Sequence, residues 1–457
     1  MLKLSFLLLT TLLILGNSEN IIEANDPDHL VLAFGSCNQH KKSEDTNIFQ
    51  QIMNVKPDVW VWLGDVAYVD YKVLPMLFTY PGETKILNKF MEAKNNPAYI
   101  QLRNSTNVIG IWNSHDYGIN NGGKFFQHKT LTQQLWLDFI DEPEDSPRRK
   151  REGIYESYYL GDKTKVKVIL LDIRYSRDEE SVLGHEGDEL GAAQWKWLEE
   201  ELKNNDAKFT LIGSGTQILP DDRIVFSSWY LNSRQRLFDL IKKHKKSGVL
   251  LISGDVHYSE IMKFPCRERI GYDLHEITSS GLTHHVADKL PSAGEFINSM
   301  FPDTYNTDED RYFERNFAVL RFDFNEEKPQ LKVEIRNKYG KVVLERELDY
   351  AKMTFDEDLV KHKAQCVLDQ HRFGRIMGKV FESILDFNFY PLVVIFGSIF
   401  IILSIVYVEV ALRGIVRWIG KKIFPNGKRR GRSGSRHNQG ANSATGRQAS
   451  VPTKKTE

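Results

Sequence analysis

The residues suited to chemistry in this sequence sit just after short apolar runs. Cys37 and Asn38 follow the run 30–34, and Asp65 and Tyr68 follow 59–63. Asn113, Ser114, His115 and Asp116 follow 108–112, Asp172 and Arg174 follow 166–171, and Asp255 and His257 follow 249–252. A sixth run, 209–212, ends in the glycine-rich stretch Gly213-Ser214-Gly215-Thr216-Gln217. A thiol, a phenol, carboxylates and imidazoles drawn together make a mixed thiolate, phenolate and carboxylate site, which is the chemistry of bound metal ions. Each element alone has a plainer explanation. Asp after Gly often serves a turn or helix cap, and a lone Cys is usually a small buried hydrophobe. Six chain ends carrying such residues together are harder to explain structurally, because in α/β sheets ligands gather beyond the carboxyl ends of the strands.

The elements that must position these residues are legible as alternation. The six apolar runs have the length and continuity of buried strands. Helical patterns at 48–55, 131–140, 192–202 and 234–243 fall between them, so the pattern predicts an α/β domain. Near the end, 318–324, 331–335 and 342–348 alternate apolar and polar residues and predict antiparallel strands. The 41% hydrophobic and 11% aromatic content excludes a largely disordered chain.

The two ends read differently. Residues 1–18 have a basic start at Lys3, an apolar stretch and small residues at Gly16 and Ser18, which predicts a signal peptide. Residues 389–408 carry no charge and are long enough to cross a bilayer, predicting a transmembrane helix over 389–412. The 61 basic and 61 acidic residues cancel overall, but 12 of the basic and only one of the acidic residues (Glu457) fall in 413–457. That tail therefore carries +11 and the rest of the chain −11. Basic residues directly after the apolar segment predict a disordered cytoplasmic tail and a lumenal or extracellular domain over 19–388. Zero net charge is thus a sum over two compartments and says nothing against an anionic substrate, and no nucleic-acid binding is expected. Asn104-Ser105-Thr106 is a glycosylation sequon on the predicted lumenal side.

The ordered set of stretches resembles the alkaline phosphatase D (PhoD-like) branch of the calcineurin-like metallophosphoesterases. It comprises Phe34-Gly35-Ser36-Cys37-Asn38-Gln39, Gly64-Asp65-Val66-Ala67-Tyr68, His115-Asp116-Tyr117-Gly118, Leu171-Asp172-Ile173-Arg174-Tyr175 and Gly254-Asp255-Val256-His257. The stretches 190–198 and 278–284 are similar to that family as well, and the resemblance spans roughly 30–350. It implies a layered αββα sandwich with a C-terminal antiparallel segment. It also implies phosphate-ester hydrolysis, mono- or diester, at a polynuclear site of metal ions, iron with calcium.

On that resemblance Cys37, Asp65, Tyr68, Asp255 and His257 are expected metal ligands, with Asp65 bridging. His115 is expected at the phosphate, with Asp116 beside it to fix its tautomer, and Arg174 as a fork for phosphate oxygens. Asn38 and His284 are further candidates for substrate contact. One departure stands out: the family has an acidic ligand just before the histidine, where this chain has Ser114. Asn113 through its amide oxygen, or a water, is the expected substitute. With Cys37 taken as a ligand, Cys266 and Cys366 are left either to pair in a disulfide or to remain free thiols. Two competing functions stay open: a phospholipid head-group hydrolase, and a non-catalytic surface protein with a degraded metal site.

Overall fold

The computed structural model describes residues 20–39, 47–74, 77–80, 82–179, 187–222, 228–288, 301–325, 329–361 and 366–369, and four helical positions at 401, 404, 407 and 408. The predicted signal peptide and basic tail lie outside the described residues, as does nearly all of the predicted membrane span. Among the described residues no helix is long and apolar enough to cross a membrane. The chain divides into two units, 1–386 and 387–457, and the strands and helices described below belong to the first.

Two sheets form the core of that unit. One is built from β2 (His29–Gly35), β3 (Val59–Leu63), β6 (Asn107–Ile111), β14 (Asn316–Asp323), β15 (Gln330–Asn337) and β16 (Val342–Asp349). Its six strands lie in the order β16-β15-β14-β2-β3-β6. The other is built from β1 (Ile21–Ile22), β7 (Glu156–Leu160), β8 (Val166–Leu170), β9 (Phe209–Ser214), β10 (Val249–Ser253), β11 (Ser259–Lys263), β12 (His275–Ser279) and β13 (Arg311–Tyr312). Its eight strands lie in the order β1-β7-β8-β9-β10-β12-β11-β13. A separate hairpin pairs β4 (Tyr71–Leu74) with β5 (Leu77–Thr79). β2, β3 and β6 run parallel, and so do β8, β9, β10 and β12. The C-terminal strands β14, β15 and β16 form an antiparallel meander that joins the first sheet through β2.

β3 shows why these residues form buried strands. All five of its side chains are buried, and β-branched and aromatic residues fit a pleated surface covered on both faces. Trp62 meets Phe49 of the helix Ile48–Asn54 and Tyr99 of the helix Pro97–Ser105, so that face is covered by helices. Phe209 of the larger sheet meets Phe322 of the smaller at 5.1 Å between ring centroids, so the two sheets pack on one another. On the larger sheet the helices Gly191–Lys203 and Leu231–Lys243 bury Trp195, Leu198 and Leu202, and Leu237, Phe238 and Ile241. The result is a mixed α/β sandwich of two sheets with helices against them. The structure also joins Cys266 and Cys366 in a disulfide, with Cα atoms 5.5 Å apart, and Cys37 is the free cysteine.

Candidate active site

The carboxyl ends of β2, β3, β6, β8, β10 and β12 deliver the site, so both sheets contribute to it. Two glycines allow the loops to approach. A Cβ on Gly64 would lie 2.3 Å from Asn113 Cβ, and one on Gly254 would lie 2.4 Å from Ser36 Oγ and 2.9 Å from the Leu63 carbonyl. Only a residue without a side chain fits either place.

Backbone strain collects here. Cys37, Asp65, Tyr68, Asp255 and His257 have φ of 61°, 56°, 33°, 79° and 61°. None is glycine, and left-handed backbone at such residues costs roughly 1 kcal/mol or more each. They are five of the six residues expected as ligands, Asn113 being the sixth, and they come from three separate loops.

Their donor atoms are near neighbours. Cys37 Sγ lies 3.6 Å from Asp65 Oδ2 and 3.1 Å from Ser280 Oγ. Tyr68 Oη lies 3.4 Å from His257 Nε2 and 3.0 Å from His284 Nε2. The Asn113 amide nitrogen donates to Asp65 Oδ2 at 3.3 Å and to Asp255 Oδ1 at 2.6 Å. Ser280 Oγ also accepts from the His257 amide at 2.8 Å, tying the β10 loop to β12.

Charge in the site is unbalanced toward the negative. Burial and the Asp65 charge push Asp255 up to about 6, against the pull of Arg174. Burial, then Asp65, push the Cys37 thiol well above its usual range. Burial, then Cys37 and Asp65, do the same to the Tyr68 phenol. Burial lowers His115, but Asp65, Asp70 and Asp255 outweigh it and hold the imidazole up at about 9. Negative charge concentrated in this way is what bound cations would neutralise.

The donor set therefore fits metal ions. Donors about 2.0–2.3 Å from a shared ion stand about 3.0–3.7 Å from one another, the spacing seen between these pairs. Among the described residues no three His, Cys, Asp or Glu side chains are closed around one point. The contacts run pairwise, and the Asn113 amide stands between the two carboxylates.

Two expected roles change on this geometry. Asp116 does not accompany His115. Its Oδ2 accepts from the backbone amides of Asp65 at 2.6 Å and Asn113 at 3.2 Å, and its Oδ1 from those of Val66 at 2.5 Å and Ala67 at 2.9 Å. It is the anchor of the Asp65 loop. The carboxylate beside His115 is Asp70, whose Oδ1 lies 2.7 Å from Nδ1. The Asn113 amide oxygen, expected as a ligand, instead accepts from Arg174 Nε at 2.9 Å and Nη2 at 2.6 Å. A guanidinium on one side and carboxylates on the other fix the amide that way round.

Arg174, the expected phosphate fork, is fully buried with Nη1 lacking a hydrogen-bond partner. An orphaned guanidinium nitrogen is what an anion would satisfy. Asn38 is buried, its backbone amide donates to the Asp65 carbonyl, and its Oδ1 has no partner. His284 meets Tyr68 and stacks edge-on with His257 at 4.3 Å. Ser114 is buried with an unpartnered hydroxyl, so position 113 rather than 114 reaches the carboxylates. Sequence reasoning missed Asp70 and Ser280. Asp70's signal was a second acid two residues past Tyr68; Ser280 had only its place after a strand.

A two-sheet sandwich with this donor set at its strand ends has the form of a metal-dependent hydrolase. A family model described as PhoD-like phosphatase matches residues 111–348, more than half of the chain, and the chain belongs to that family. It is accordingly a phosphoric-ester hydrolase of a metal-dependent family. A solved structure of PhoD is similar in fold over 78% of each chain, with 15% identity and a TM-score of 0.51. The crystal structure of TT1561 of Thermus thermophilus aligns over 70% of this chain and 99% of that one, at 9% identity and a TM-score of 0.30. No curated protein matches the chain. The family match begins at 111, so Cys37, Asp65 and Tyr68 join the site through geometry alone.

Proposed function

We propose that this chain hydrolyses phosphate mono- or diesters at a metal centre held by Cys37, Asp65, Tyr68, Asp255 and His257. The supporting observation is the convergence of these five residues, each in left-handed backbone, from three strand ends. When bound, the metal ions supply a Lewis-acid cradle for phosphate oxygens, and iron with calcium is the pair the resemblance implies. Arg174 binds a phosphate oxygen through Nη1, steadied by Asn113. His115 sits over the Tyr68 ring at 4.4 Å and moves a proton at the leaving oxygen. Asn38 and His284 line the substrate side.

The same proposal sets the catalytic domain on the lumenal or extracellular side of a membrane, anchored through 389–412. The charge asymmetry supports this, and so does the Cys266–Cys366 disulfide, which suits an oxidising compartment. Asn104 is exposed, as glycosylation requires. The test is an assay of the purified chain with nitrophenyl phosphate and bis-nitrophenyl phosphate, alongside Asp65→Asn. Turnover of at least one ester, lost in the variant, is expected; a wild-type chain inert toward both contradicts the proposal.

A further inference from the structure

The sequon Asn104-Ser105-Thr106 straddles the end of the helix Pro97–Ser105. Asn104 is exposed in the last turn, and Thr106 beyond it is extended, at φ −150° and ψ 139°. β6 starts at Asn107 and β3 at Val59, so the sequon lies at the amino ends of these parallel strands, away from the catalytic loops. A polar cleft of about 290 Å³ opens beside it, and Asn104 itself is part of the wall.

The cleft is built on a buried carboxylate. Asp58 Oδ1 accepts from the Asn25 amide at 2.8 Å and from Asn25 Nδ2 at 2.6 Å, and its Oδ2 accepts from the Val31 amide at 2.7 Å. The Asp58 carbonyl accepts from Asn107 Nδ2 at 3.2 Å, so the N-terminal segment and the chain just past the sequon are tied to one residue. Glu23, Asn25, Thr106 and Pro57 line the space, which brings a carboxylate, an amide, a hydroxyl and one apolar ring around it. That mixture suits a sugar, whose hydroxyls need hydrogen-bond partners and whose C–H face needs an apolar one. The volume stands near the lower limit of small-molecule sites, about 300 Å³, and so matches one ring rather than a chain of sugars.

We propose that Asn104 carries an N-linked glycan whose first N-acetylglucosamine is seated in this cleft and braces the segment 23–25 against the helix end. This rests on the lumenal or extracellular placement above and not on the esterase reading. In the attachment, the Asn104 amide nitrogen bonds to C1 of a lipid-linked sugar diphosphate supplied by the host. The C1–O bond breaks, the diphosphate leaves with the electron pair, and the nitrogen gives up one proton.

The test uses the full chain expressed through the secretory pathway of a glycosylating host. Mass spectrometry of the Asn104 peptide is expected to show the glycan. An endoglycosidase that cuts between the first two sugars acts on the folded chain, whereas an amidase that cuts the sugar–asparagine bond acts only after unfolding. The chain trimmed to one sugar keeps the Tm of the fully glycosylated chain, and Asn104→Gln lowers it by about 2 °C or more. A glycan released by the amidase from the folded chain, or a Tm that is the same with and without the first sugar, overturns the proposal. So does an unmodified Asn104. If the signal peptide has then been removed, the seat alone fails; if it is retained, the lumenal placement fails with it.

Discussion

Asp116→Asn is the perturbation whose cost the structure fixes most closely. The wild-type carboxylate accepts four buried backbone amides, two on each oxygen. An asparagine keeps one oxygen, which serves the Val66 and Ala67 amides. Its NH2 then faces the amides of Asp65 and Asn113, which lose their acceptor. Leaving a buried donor unsatisfied costs about 1–3 kcal/mol, so two put the expected loss at about 2–6 kcal/mol. For a domain of this size that lowers Tm by several degrees, roughly 3–8 °C. The same two amides hold Asp65 at φ 56°, so the loop relaxes and activity falls with stability. The assay is thermal unfolding by circular dichroism together with ester hydrolysis. A variant with wild-type Tm and reduced activity would refute the reasoning, because it would restore Asp116 to a purely catalytic role beside His115.

Glu276 is buried in β12, accepting from the Ile218 and Leu219 amides, and burial followed by the Glu260 charge pushes it from 4.5 up to about 7. A raised carboxyl means the folded chain holds a proton that the unfolded chain has released, so stability falls as pH rises between about 4.5 and 7. The stability of Glu276→Gln relative to wild type, followed through Tm, therefore climbs by up to about 3 kcal/mol across that window and levels off above it; a pH-independent difference counts against this. Cys366→Ser opens a bridge between residues 100 apart in sequence and lowers stability by about 2–4 kcal/mol, read as a Tm drop matched by reduction of the wild type. Gly254→Ala places a methyl against Ser36 Oγ and the Leu63 carbonyl, so kcat drops by about tenfold or more; wild-type kcat would mean that the loops are not as tightly apposed as described.

The six apolar runs were legible because continuous buried strands leave continuous apolar sequence, and each appears within a residue or two of its predicted bounds. β12 was not, because it buries Glu276 and Thr278 in a polar network and so breaks the apolar signature. The helix Glu83–Lys94 was missed because Leu87 and Met91 lie exposed on one side and blur its periodicity. The helix Pro97–Ser105 carried a readable start, Asn96 capping the Ala98 and Tyr99 amides before Pro97.

Within the site, residue types and strand ends identified the donors, but side-chain direction did not follow from sequence neighbours. Consecutive residues on a helical turn do not face one another, so in Ser114–Tyr117 the acid next to His115 points elsewhere. Its actual partner, Asp70, is 45 residues away in sequence.

The central claim is that Cys37, Asp65, Tyr68, Asp255 and His257 together hold metal ions that hydrolysis requires. Its most direct test is elemental analysis of the purified full-length chain, wild type against Asp65→Asn, at matched folding. The account predicts bound metal in the wild type, lost together with ester hydrolysis in the variant. A folded wild type without metal, or one whose metal content is untouched by Asp65→Asn, contradicts it.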